Sequence, residues 1–317
     1  DRLQEVVRGH FGDDAIAYPV FNGTGANVLA LQSMLPRWGA VIAATTAHIH
    51  VDEGGAPERT GGLKLLTVET EDGKLTPELI DREAWGFGDE HRAQAGVVSI
   101  TQSSELGTLY TPDEIAAIAE HSHRLGLKVH LDGARLSNAA AALEVPLRAI
   151  TTDAGVDAIS LGGTKNGAML AEAVVALTPE ACAGLGFSRK FLMQLTSKMR
   201  FVSAQLLALY DGELWRENAT QANAAARRLR AGIEAEQARG ALGEVAFTQP
   251  TQVNAVFATL PADVANRLRE SYRFYDWDEA RGEVRWMCSF DTRDEDVDAF
   301  VAALVAASRR GGETGSA

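Results

Sequence analysis

The sequence predicts an α/β protein: a large domain with a mainly parallel sheet of seven strands, followed by a small C-terminal α+β domain. Two observations carry this. Apolar runs alternate with helical patterns from the start to about residue 175, and the composition changes after Phe187. Alternation of this kind builds parallel sheets whose faces are covered by helices. Seven runs are strand candidates: Ala15–Phe21, Ala40–Ala44, Leu63–Thr67, Gly96–Thr101, Lys128–Leu131, Ala158–Leu161 and Leu170–Ala176. Gly25–Leu35 reads as the helix after the first of them. Thr111–Leu125 has a strong helix start, with Pro112 at the first helical position and Asp113 and Glu114 near the positive end of the helix dipole.

Beyond the change, Phe187–Leu209 reads as one long helix and Trp215–Gln237, rich in Ala and Arg, as a second. A strand (Thr251–Thr259), a helix (Pro261–Ser271), a strand (Glu283–Phe290) and a last helix (Glu295–Ser308) complete a compact unit. The expected domains are 1–210 and 211–317. The Gly/Ser/Thr-rich tail Gly311–Ala317 is expected to fray. No internal repeat is visible.

The chain has 317 residues and a formal net charge of −13, which favours solubility and opposes a nucleic-acid binder that would need a basic face. No apolar run approaches the roughly 20 residues of a membrane span, and there is no signal-peptide pattern. The chain opens at Asp1 in helical sequence (Leu3, Val6, Val7), as a processed, trimmed or incomplete form would. Cys182 and Cys288 make neither a metal motif nor a disulfide framework and read as reduced thiols of a cytoplasmic protein.

Four segments carry chemistry. Asn22-Gly23-Thr24-Gly25-Ala26-Asn27 lies between a strand and a helix, where glycines admit a close ligand and the helix N-terminus offers N–H groups to a phosphate. A plain turn with a cap reads equally well. His130-Leu131-Asp132-Gly133-Ala134-Arg135 ends a strand, the place where open α/β sheets bind ligands, with His130 and Asp132 on one face. The same residues also fit an Asp132 that caps the next helix and pairs with Arg135. Lys165, between glycines after a buried-type strand, is expected to be desolvated, which lowers its pKa and suits imine formation. A surface-loop lysine is the alternative. Phosphate cradle, strand-end acid and loop lysine together meet the needs of pyridoxal phosphate. In Ala47–Gly55, His48 and His50 lack the i, i+4 spacing of a zinc pair and a third ligand. An imidazole stacked on the pyridine ring, with an acid organising hydroxyl chemistry, fits better; a solvated loop is the alternative.

Asn22–Asn27, Ala47–Gly54, Ser99–Tyr110, His130–Asn138, Leu161–Gly167 and Ser197–Gln205 together resemble the low-specificity L-threonine aldolases, pyridoxal-phosphate enzymes of fold type I. The match runs in order over nearly the whole chain. Relative to that family the start is missing, where an N-terminal Ser-Asp stretch lies near the active site. The resemblance implies that Gly23 and Thr24 bind the phosphate, His48 stacks on the ring, Asp132 contacts the pyridine nitrogen and Lys165 forms the Schiff base. It places Arg135 by cofactor and substrate, and assigns Arg285 the substrate carboxylate, which a guanidinium holds with two hydrogen bonds. It places Arg200 near the cofactor, reached across a subunit boundary. Many members carry a histidine near the substrate hydroxyl in the segment matching Ser103–Gly107, where this chain has Glu105.

The implied reaction cleaves L-threonine, L-allo-threonine and related β-hydroxy-α-amino acids to glycine and an aldehyde. His48, directly or through water, and Glu105 are the candidate bases. The implied assembly is a homotetramer, a dimer of dimers with the site at the subunit interface; in the sequence, only the apolar helix around Phe191–Leu209 speaks for it. A β-eliminating lyase, an aminotransferase, or a homologue that binds the cofactor without turnover are the alternatives.

Overall fold

In the computed structural model, which describes residues 2–243 and 245–309, each expected apolar run of the first domain contributes a strand. These are β1 Ile16–Val20, β2 Gly39–Ala44, β3 Lys64–Val68, β4 Gln94–Thr101, β5 Lys128–Gly133, β6 Ala158–Gly162 and β7 Glu172–Ala176. They form one sheet in the order β1-β7-β6-β5-β4-β2-β3. The five strands from β6 to β3 run parallel; β7 joins β6 antiparallel, and β1 pairs antiparallel with β7 and so runs in the direction of the five. Every residue of β2, β6 and β7 is buried, which is why they read as unbroken apolar runs rather than alternating ones.

From β2 the chain steps outward to β3, then returns to lay down β4, β5 and β6 on the other side. That reversal opens a crevice at the C-terminal ends of β2 and β4, the usual ligand position in such sheets. The helix Pro112–Arg124, which leads into β5, starts as expected. Thr111 Oγ1 accepts from the Glu114 N–H, and the Glu114 carboxylate accepts from the Thr111 N–H. Its inner face buries Ile115, Ile118 and Ala119.

The expected long helix over 187–209 is instead two helices, Leu185–Phe191 and Arg200–Tyr210. Met193 takes a left-handed backbone (φ 61°), which ends the first, and Gln194 then turns inward. The apolar spacing misled because Phe187, Phe191 and Phe201 are exposed, by 86%, 74% and 59%, and never were a core stripe.

Tertiary contacts divide the chain into two units, one of the residues up to Glu105 with Leu109–Glu217, the other of Leu106–Thr108 with the residues from Asn218 onward. In the second unit, β8 Ala246–Phe247, β9 Ala255–Thr259, β10 Tyr275–Asp278 and β11 Glu283–Met287 form an antiparallel sheet in the order β10-β11-β9-β8. Leu229, Ile233, Val256, Trp286 and Leu304 share its core with the helices Ala262–Arg269 and Asp294–Arg309. β8 and β10 had no sequence signal: one is two residues long, and the other is a polar edge strand, YDWD. The expected fraying of Gly311–Ala317 lies outside the described residues.

Candidate active site

Four adjacent parallel strands deliver the candidate residues. Asp132 is in the end of β5, His48 follows β2, Glu105 follows β4 and Lys165 follows β6. Asp132 is buried; its Oδ2 accepts from Asn27 Nδ2 at 2.8 Å and its Oδ1 from the Ala134 N–H at 3.0 Å. Asn27 sits in the Gly23–Met34 helix, and its amide nitrogen also donates to Glu53 Oε1 at 2.8 Å. That oxygen lies 3.0 Å from His48 Nδ1. The His48 backbone N–H donates to Glu105 Oε1 at 2.9 Å, which also accepts from Thr101 Oγ1 at 2.8 Å. Asp132, Asn27, Glu53, His48 and Glu105 are thus one hydrogen-bonded chain across the strand ends. The loop that carries Glu105 is closed by Gln102, whose side chain donates to the Tyr110 carbonyl at 2.7 Å and accepts from its N–H at 3.1 Å.

Electrostatics follow from these contacts. The Glu53 hydrogen bond raises the His48 imidazole above its ordinary range, against burial and the positive charge of Lys165. Burial raises the Glu105 carboxyl, with Asp132 adding to the rise and the two donors opposing it. Asn27 Oδ1, Glu53 Oε2 and Glu105 Oε2 are buried without a partner. Three such atoms along one network are costly in a folded chain and fit a polar ligand.

Lys165 lies in a turn, Thr164–Asn166, held by close packing on either side of β6. A Cβ on Gly162 would fall 2.7 Å from the Ala134 carbonyl oxygen, and one on Gly163 would fall 2.5 Å from that of Ala171. The glycines therefore bring the lysine turn against the Asp132–Arg135 segment. Lys165 itself is exposed, which corrects the expected desolvation: the close packing is at Gly162 and Gly163, and the turn that follows them reaches the surface.

The Gly23–Met34 helix opens on Asn22, whose Oδ1 accepts from the Gly25 N–H at 2.6 Å. A Cβ on Gly23 would meet nothing within 4 Å, so the backbone there is open to a ligand, as a phosphate cradle requires. Gly25 is closely approached from the other side: a Cβ would fall 2.2 Å from Gln194 Nε2, so the Gln194 amide would have to move. Cradle, strand-end acid and loop lysine fit pyridoxal phosphate.

A family described as beta-eliminating lyase matches residues 1–262. The chain belongs to that family. It is 38% identical over 305 residues to a low-specificity L-threonine aldolase of a Pseudomonas species, covering 96% of this chain and 86% of the relative. It is 39% identical over 298 residues to one of Pseudomonas aeruginosa, covering 93% and 84%. The solved threonine aldolase of Leishmania major superposes with a TM-score of 0.88 at 27% identity, over 96% of this chain and 87% of that one. The architecture is that of fold-type I pyridoxal-phosphate enzymes.

The other residues that the sequence singled out are placed as follows. His130 is fully buried between Ser99 Oγ (2.9 Å from Nδ1) and Ser160 Oγ (3.0 Å from Nε2), and burial pushes its imidazole down to about 4. It is a neutral structural group beneath Asp132. Arg135 is half-buried and precedes the helix Leu136–Leu143. Arg200 is exposed at the start of its helix, its guanidinium 4.8 Å from the centre of the Phe201 ring. Arg285 lies on β11 of the second unit, 4.6 Å from the Trp277 ring centre. Of the two acids after His48, Glu53 points inward and Asp52 is exposed. Asn27, Glu53 and Gln194 were not singled out individually. The first two belong to motifs already visible; Gln194 carries no sequence signal, since only the chain reversal at Met193 brings it to Gly25.

Proposed function

We propose that this protein is an aldolase that cleaves L-threonine, L-allo-threonine and related β-hydroxy-α-amino acids to glycine and an aldehyde, using pyridoxal phosphate. The observation that carries it is the buried bridge from Asp132 through Asn27 and Glu53 to His48, on strand ends that also present Lys165. The names of the most similar relatives support the same reading.

Lys165 is the amine that attaches the cofactor, and Gly23 and Thr24 bind its phosphate. The Asp132 carboxylate, oriented by Asn27, holds a proton on the pyridine nitrogen. Bound there, pyridoxal phosphate supplies a sink for the electron pair left at Cα when the Cα–Cβ bond breaks. Arg285 holds the substrate carboxylate in a bidentate pair, with Arg135 beside cofactor and substrate. His48 stacks on the ring and takes the β-hydroxyl proton, directly or through water, while Glu53 holds its other nitrogen. Glu105 is the second candidate for that proton, its Oε2 being buried and unpartnered.

The assembly is a homotetramer with Arg200 reaching a neighbouring site. The exposed Phe187, Phe191, Met193 and Phe201 support a covered apolar face. The place of action is the cytoplasm, in keeping with two buried free thiols; no helix of the described residues is long and apolar enough to cross a membrane. The test is cleavage of L-threonine, L-allo-threonine and phenylserine with cofactor added. Equal amounts of glycine and aldehyde are expected, and no aldehyde from any of the three overturns the reading. Lys165→Ala is expected to keep its fold and lose the yellow absorption of the loaded enzyme.

A further inference from the structure

Glu172 has no part in the chemistry above, yet its carboxylate is buried at the edge of the lysine turn. It opens β7, opposite Gly162 of β6 on one side and Val20 of β1 on the other. Its Oε2 accepts from the Gly163 N–H and its Oε1 from the Thr164 N–H, both at 3.3 Å. These two amides immediately precede Lys165. The Thr164 hydroxyl meanwhile meets the Ala171 backbone, accepting from its N–H at 3.3 Å. Below the turn, Tyr210 Oη donates to the Gly162 carbonyl at 2.7 Å. The chain is thus held at each residue from Gly162 to Thr164, by Tyr210 of the Arg200–Tyr210 helix and by Ala171 and Glu172 at the start of β7.

A carboxylate only 7% exposed is expensive unless it is hydrogen-bonded or faces a positive charge. Burial raises the Glu172 carboxyl, while the two amides, the Thr164 hydroxyl and the charge of Lys165 pull it back. Lys165 is the cation among these influences, and Tyr210 is a neutral neighbour that feels the Glu172 charge. His48 feels both Lys165 and Asp132.

We propose that Glu172 is a positioning residue for Lys165, fixing the backbone of its turn through Gly163 and Thr164 and setting a buried negative charge beside the lysine. The role rests on Lys165 being the cofactor lysine; its test is made on cofactor-free protein, so it stands or falls apart from aldolase activity.

The first readout is the pH dependence of trace acetylation of Lys165, followed by mass spectrometry. The second is hydrogen exchange of the peptide containing residues 158–167. In Glu172→Gln, loss of the charge lowers the midpoint for Lys165 by about half a unit, roughly a threefold gain in reactivity at neutral pH. The same variant keeps one acceptor, so exchange of the turn rises about threefold or more. Glu172→Asp keeps the charge but draws it back from the amides: exchange rises while the midpoint stays near that of the parent. A merely structural glutamate lowers thermal stability without moving the midpoint. An unmoved midpoint in folded Glu172→Gln overturns the proposal, and so does unchanged exchange in Glu172→Asp. If Glu172→Gln does not fold, Glu172→Ser, which also removes the charge, takes its place: a lowered Lys165 midpoint supports the proposal and an unmoved one overturns it.

Discussion

His48 Nδ1 lies 3.0 Å from Glu53 Oε1, and the Glu53 side chain is wholly buried while the imidazole is half-exposed. The carboxylate orients the ring and favours its protonated form. A proton-accepting His48 must be neutral, which holds above its raised pKa. Glu53→Gln removes the raising influence, so the neutral form persists to lower pH. The acidic limb of the kcat/KM profile for L-threonine is expected to move downward in pH. A limb that stays put, or moves up, removes His48 as the group that the limb reports.

Glu105 yields a stability prediction of defined sign. Burial raises its carboxyl, so the folded chain binds that proton more tightly than the unfolded one. The contribution is complete below the ordinary carboxylate range and is lost as pH rises through the raised value. Glu105→Gln lacks this decline. Melting temperatures of cofactor-free protein, measured across that window, should fall with pH less steeply in the variant than in the parent. Parallel curves contradict the burial of a charge at this position.

Gly162→Ala tests the packing that joins the lysine turn to the Asp132 segment. Its Cβ would meet backbone, the Ala134 carbonyl oxygen at 2.7 Å, which cannot swing aside as a side chain can. A loss of about 1–3 kcal/mol in urea unfolding is expected, together with weaker cofactor retention in an absorbance titration. Stability and retention both equal to the parent would show that β5 and β6 have slack here.

Phe187 and Phe191 are 86% and 74% exposed on one short helix, an arrangement costly in a monomer. Phe187→Ser together with Phe191→Ser is expected to reduce the mass measured by light scattering while leaving the circular dichroism of the chain in place. An unchanged mass argues against a subunit contact at these residues.

The strands were legible because burial on both faces writes an unbroken apolar run into β2, β6 and β7, and the candidate site residues because glycines and charges gather at strand ends. The helix break at Met193 was not legible: the exposed Phe187, Phe191 and Phe201 carry the same spacing as a buried stripe. The polar edge strand β10 was lost for the converse reason, since it buries too little to show a pattern.

By itself the sequence determined the α/β architecture and the order of Gly23, His48, Asp132 and Lys165 along the chain, because hydrophobic period and turn chemistry are local properties. It could not determine that Asn27 spans Asp132 and Glu53, that Glu172 holds the turn before Lys165, or that Lys165 is exposed rather than desolvated. Those facts belong to the tertiary structure. They depend on which strands become neighbours, and residues 105 positions apart meet only once the sheet has set β5 beside the Gly23–Met34 helix.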